Sequence, residues 1–157
     1  MASPVGLVFS ERFLHHDPGP GHPERPDRLR AVERALRGTG LWDRLTPLPF
    51  DVADRQWLER LHDPRYVDRV FAAAEHGEPC LDTADCGLCP ATAEIAQLAV
   101  GGTLAAVDAV MAGRVASVFC AVRPPGHHAE RDQAMGFCFF ANVAIAAEYL
   151  LAHHGLE

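Results

Sequence analysis

The stretch Arg123-Pro124-Pro125-Gly126-His127-His128-Ala129, followed after a short spacer by Gly136-Phe137-Cys138-Phe139-Phe140, decides how this chain is read. It comes directly after a nearly all-apolar run, Val115 to Val122. Such a run is expected of a central parallel strand covered on both faces. Pro124 and Pro125 fix φ and remove ladder donors, so the strand must stop there, and Gly126 permits a sharp change of direction. His127 and His128 are therefore expected on a rigid loop at a strand end, where α/β proteins place their chemistry. Imidazoles titrate near neutrality, so two facing one cleft can act as general base and general acid. The Gly-Phe-Cys-Phe-Phe segment would give that cleft an apolar wall.

Working outward, Ala91 to about Ala112 carries Ile95, Leu98, Ala99, Leu104, Val107 and Val110 with few charges, which predicts a long, mostly buried helix. Gly101-Gly102 inside it costs about 1 kcal/mol per glycine relative to alanine, and close packing against a neighbour is the usual reason to bear that cost. Beyond the histidine loop, Asn142 is expected as an N-cap for a helix over Val143–Ala152, closed by His153, His154 and Gly155. Toward the N-terminus, Val5–Phe9 reads as a buried strand, and His15–Pro26 as a loop too rich in Pro and Gly for regular structure. Helices are expected over Asp27–Leu36, Asp54–Leu61 and Pro64–Glu75, the last with Tyr66, Val67, Val70 and Phe71 on one face. Leu45–Phe50 reads as an edge or irregular strand because of Pro47 and Pro49, and Gly77–Pro90 as a loop.

Strands alternating with helices predict an α/β fold with a parallel sheet flanked by helices. About three strands would leave much apolar helix surface uncovered. Residues 1–157 are therefore expected to be the N-terminal part of one larger domain, truncated after a helix.

The chain of 157 residues is 48% apolar with a formal net charge of −7 and no Lys/Arg block, which argues for a globular domain and against direct nucleic-acid binding. The first ten residues lack a basic segment followed by a long apolar one, and no apolar run is read as long enough to cross a membrane. Five scattered cysteines suggest reduced thiols. Together these lead to the expectation of a cytoplasmic protein with no membrane partner.

Two weaker clusters stand apart. Cys86-Gly87-Leu88-Cys89, with His76 and Cys80 nearby, could be half a zinc site or a redox pair, but one C-x-x-C is a weak signal. His15, His16 and His22 gather with Asp17 and Glu24, where hydrogen bonds that fix the loop are expected rather than metal ligation. Phe13 is either packing or the edge of a cleft.

The Arg123–Ala129 and Gly136–Phe140 segments resemble the active-site segment of the zinc-dependent histone deacetylase family, which includes histone deacetylase-like amidohydrolases and acetylpolyamine deacetylases. The resemblance is closer to its class II and bacterial branches. His22–Leu29 resembles the family's first loop and helix start, Leu61–Val67 its L-H-x-x-x-Y helix, and Cys89–Thr92 leading to Gly101-Gly102 the helix before the catalytic strand.

The resemblance implies a partial arginase-deacetylase type fold and zinc-dependent hydrolysis of an acetyl-amide, in a peptide or small-molecule acetylated amine. It assigns His127 and His128 to proton transfer and charge stabilisation, without deciding which does which. It assigns the Gly136 carbonyl to the substrate amide hydrogen, Phe137 to the wall of the acyl tunnel and Arg28 to an inner cavity below the metal. Asp85 and Asp82 compete for an acidic rim position. The family's zinc ligands match no residue of this chain, so Zn2+ is implied with ligands beyond it. Ala141 departs from the family, which usually has Asn there. Two other readings follow: a non-catalytic chain that works only as a binding or assembly module, joined to a complementary C-terminal half or a second copy, and a small metal module built on Cys86 and Cys89.

Overall fold

In the computed structural model, residues 4–156 are described. The three strands β1 (Val5–Val8), β2 (Leu45–Pro47) and β3 (Ser117–Cys120) form a parallel sheet in the order β2-β1-β3. Val5 pairs with Leu45 on one side and Ser117 on the other. The helices are α1 (Pro26–Gly38), α2 (Arg55–Leu61), α3 (Pro64–Glu75), α4 (Thr92–Met111) and α5 (Asn142–His154). Two short 3-10 turns, Glu11–His15 and Trp42–Arg44, were not expected from the sequence.

Local chemistry explains most boundaries. Pro26 opens α1 and Pro64 opens α3, where a missing N–H costs nothing, and the Asp63 side chain caps α3 by accepting from Arg65 N–H. Gly155 closes α5 in the left-handed conformation. Pro47 ends β2 after three residues, as an edge strand allows.

α4 is the spine of the fold. It touches β1, β3, α3 and α5, and its buried positions run from Thr92 through Ala109. The reason for Gly101-Gly102 is visible here. A Cβ on Gly101 would collide with the carbonyl oxygen of Asp51 and come within 2.8 Å of Ala53 N, and one on Gly102 would lie 2.5 Å from Val8. The helix thus approaches strand β1 and the segment after β2 as closely as backbone permits.

Three expectations need correction. β3 lies at an edge of these three strands, and Phe119 is 43% exposed, so its apolar run is not covered on both faces. The α5 N-cap is Ala141 with no side-chain cap; Asn142 is already helical and its N–H is held by the Phe140 carbonyl at 2.9 Å. Finally, α4 is long and apolar enough to cross a membrane by length and composition. More than half of that stretch is buried, so the helix spends its apolar surface on the protein core.

Candidate active site

The histidine loop is set by what holds it from below. Arg123 is 3% exposed and makes a two-pronged pair with Glu24, Nε to Oε1 at 3.0 Å and Nη2 to Oε2 at 2.7 Å. Its Nη1 donates to the carbonyls of Phe13, at 2.6 Å, and His16. One buried guanidinium therefore ties the end of β3 to the loop after β1, a geometry that lysine could not supply. Burial favours the neutral form of Glu24, but hydrogen bonds from His16 and Arg123, with the charge of Arg123, outweigh it and hold the carboxyl at about 2. His16 completes this brace, with Nε2 3.4 Å from Glu24 and Nδ1 2.9 Å from Thr92 Oγ1 at the start of α4.

The segment after the histidines is clamped by the L-H-x-x-x-Y stretch, whose His62 lies in the extended break between α2 and α3 and whose Tyr66 lies in α3. His62 Nε2 accepts from Ala141 N–H at 3.0 Å while Nδ1 donates to the Arg131 carbonyl at 3.2 Å. Both bonds suit one neutral tautomer, and burial lowers the pKa of this imidazole. The Tyr66 hydroxyl donates to the buried carbonyl of Phe139 at 2.7 Å.

Met135 and Cys138 pair across a tight hairpin whose central residues, Gly136 and Phe137, both have positive φ, 58° and 69°. That is the backbone a two-residue primed turn requires. Gly136 has a second constraint: a Cβ there would come 2.5 Å from the His128 ring. The Gly136 carbonyl receives the Cys138 thiol at 3.2 Å, a weak donor that leaves an oxygen lone pair for another partner.

These elements enclose one cavity of about 400 Å³ lined by Arg28, Asp85, Pro125, His127, His128, Gly136 and Phe137. All six residues singled out as catalytic, substrate-binding or cavity-lining are brought together there. The two imidazoles lie side by side, centroids 4.4 Å apart and planes at 57°. Arg28 and Pro125 also line a second cavity of about 240 Å³ with Glu24 and Arg123. Of the two competing aspartates, Asp85 lies at the cavity. Asp82 instead accepts from Arg69 and from Ala134 N–H, bracing α3 against the loop before the hairpin.

The sequence reading missed His22 as a support for two residues of the cavity, Asp85 and Phe137. Its Nε2 lies 3.0 Å from the Asp85 carbonyl, its Nδ1 accepts from Glu24 N–H at 3.1 Å, and its ring meets Phe137 edge-on at 5.2 Å. His16 and His22 thus fix the loop, as expected. Phe13 is buried and stacks on Phe50, which decides for packing.

The cavity residues do not by themselves make a metal site. Among the described residues, three histidine, cysteine or carboxylate donors close enough for one ion occur together at Asp108, His153 and His154, none of which lines the cavity. Cys86 and Cys89 belong to no such group among the described residues. Cys86 is buried, and desolvation raises its thiol pKa. Cys89 is half-buried; burial opposes its ionisation, but hydrogen bonds from His16, Thr92 and the Asp17 and Ala91 amides bring it to about 6.

A three-stranded parallel sheet with a helix spine, opening a histidine-lined cavity past the end of β3, defines the class of domain. The histone deacetylase domain matches residues 22–157. The chain is 42% identical to a histone deacetylase-like amidohydrolase of Pseudomonas aeruginosa, covering 100% of this chain and 46% of that protein. It is 41% identical to the polyamine deacetylase HDAC10 of Homo sapiens, covering 98% of this chain and 24% of that protein. The crystal structure of the HDA15 HD domain superposes with a TM-score of 0.88 at 35% identity, covering 96% of this chain and 43% of that one. The chain belongs to the histone deacetylase family. It has the fold of part of that domain and spans about half the length, or less, of the curated relatives it matches.

Proposed function

We propose that this chain carries the proton-transfer segment of a deacetylase that hydrolyses an acetyl-amide. The observation that carries the reading is the single cavity in which His127 and His128 meet Arg28, Asp85, Gly136 and Phe137. Hydrolysis of an amide needs one group to take a proton from the attacking water and another to return one to the leaving amine. Two adjacent imidazoles on a rigid loop can divide those tasks. Asp85 stands at the cavity edge to hold a substrate's backbone or amine, Phe137 to face its aliphatic stem, and the Gly136 carbonyl to accept its amide hydrogen. Arg28, shared with the second cavity, is placed to meet the carboxylate product.

Family membership implies Zn2+, which when bound would polarise the acetyl carbonyl and the water. The described cavity residues supply no three-donor set for it, so its ligands are proposed to lie outside this chain. The 157-residue chain alone is proposed to be inactive, and acetate release by it from an acetyl-lysine peptide would overturn that. The substrate is an acetylated amine, either a peptide lysine or a small polyamine, and the protein is proposed to act in the cytoplasm. In the complete protein, replacing His127 and His128 together by Ala should lower kcat at least about 100-fold, the usual contribution of general acid-base catalysis, while bound zinc stays unchanged. Retention of comparable turnover would remove the role given to them.

A further inference from the structure

The donors at the far end of α4 take no part in the cavity. Asp108 lies in the last turn of α4, and His153 and His154 end α5. One ligand atom from each lies within 4.8 Å of the others. His154 Nε2 is 2.9 Å from Asp108 Oδ1, and the Tyr149 hydroxyl donates to the same oxygen at 3.0 Å. The His153 ring stacks on Tyr149 at 4.7 Å and lies 5.0 Å from the His154 ring.

Three physical features favour a cation here. One carboxylate and two imidazoles are the mixed donors that zinc-class ions select, whereas magnesium and calcium prefer oxygen alone. Tetrahedral bonds of about 2.0–2.1 Å place ligand atoms about 3.3–3.4 Å apart, a closure that side-chain rotation can reach from the present spacing. The two helices also end close by, so the partial negative charge of two helix C-termini lies near the donors. Tyr149 then orients the carboxylate. Its hydroxyl, a neutral donor, points at Asp108 Oδ1 from 3.0 Å. That is the part an outer-sphere partner plays around a ligating group.

We propose that Asp108, His153 and His154 bind one divalent transition-metal ion of the zinc class, with water completing its coordination, and that the ion ties the end of α5 to the end of α4. The site is separate from the cavity and stands independently of the reading given to it. The alternative is an Asp108–His154 ion pair with no ion.

The test is a calorimetric titration of tag-free, chelator-stripped protein with Zn2+, followed by Co2+ to read the ligand field from its visible spectrum. One equivalent should bind, with a tetrahedral Co2+ spectrum. Asp108→Asn and the pair His153→Ala with His154→Ala should each weaken binding more than tenfold, and Tyr149→Phe about tenfold, the usual cost of losing an outer-sphere partner. His127→Ala with His128→Ala, and Cys86→Ser with Cys89→Ser, should bind as the parent does. Circular dichroism shows that each variant is folded, and Asp108→Asn, nearly isosteric, keeps the test valid if a histidine variant unfolds. Absence of binding in the parent leaves only the ion pair and overturns the proposal, as does binding that survives in folded Asp108→Asn or is lost in the folded cysteine or cavity-histidine variants.

Discussion

Tyr66 shows how much one oxygen atom holds in place. Its phenol is buried, with its pKa raised first by desolvation and then by the charge of Asp82, so it is a neutral donor to the Phe139 carbonyl. That carbonyl lies between the hairpin and α5 and has no water to turn to. Tyr66→Phe should destabilise the fold by about 1–3 kcal/mol, the cost of an unmet buried acceptor, read from the denaturant midpoint. A change within error would show that the carbonyl finds another partner. At this scale the sequence was most legible where unusual residue types were crowded together. His127, His128, Gly136 and Phe137 fall within one short stretch of Pro, Gly, His and aromatic residues. The Arg123–Glu24 pair was not legible, because its members are 99 positions apart and nothing local to either reveals the other. The positive φ of Phe137 was hidden for a different reason, since a phenylalanine gives no compositional sign of a left-handed backbone.

Among elements, α4 gives the sharpest contest between propensity and packing. Gly101→Ala would gain about 1 kcal/mol of helix propensity. It would also drive a methyl group into backbone atoms of Asp51 and Ala53, which cannot rotate away as a side chain would. Overpacking of this kind costs about 1–3 kcal/mol or more, so packing should win and thermal unfolding should occur at a lower temperature. A raised Tm would mean that the segment after β2 yields freely. Helix positions were legible because apolar spacing and proline punctuation fix them, as Pro64–Glu75 shows. The edge position of β3 was not legible. A continuous apolar run states that a strand can be covered on both faces but says nothing of which neighbours cover it.

For the whole molecule, acid stability turns on Glu24. Its carboxyl titrates at about 2 in the folded chain against an ordinary 4.5. A depressed carboxylate pKa means that the unfolded chain binds more protons in that interval, so stability rises with pH across it. The contribution is complete above pH 4.5 and is lost as pH falls toward about 2. His62, lowered by burial, adds to the loss below the ordinary histidine range, whereas His16 has a raised pKa, so its contribution is present at lower pH and fades as pH rises through its folded value. Denaturant midpoints measured against pH should therefore fall steeply in acid. Glu24→Gln should flatten that fall while lowering stability at neutral pH by about 3–5 kcal/mol, because Arg123 is left buried and unpaired. An unchanged acid slope in the variant would assign the titration to other groups.

Phe137 occupies a left-handed backbone conformation that its side chain disfavours, and the hairpin imposes it. Backbone strain and the proposed role in the cavity wall therefore rank the residues at this position in opposite orders. Glycine would sit there without strain, yet it would open the cavity wall that the ring forms. Selection for robustness alone would erode this aromatic, and selection for the proposed substrate wall alone would hold it. Its retention in a given relative thus reports which pressure that protein has been under.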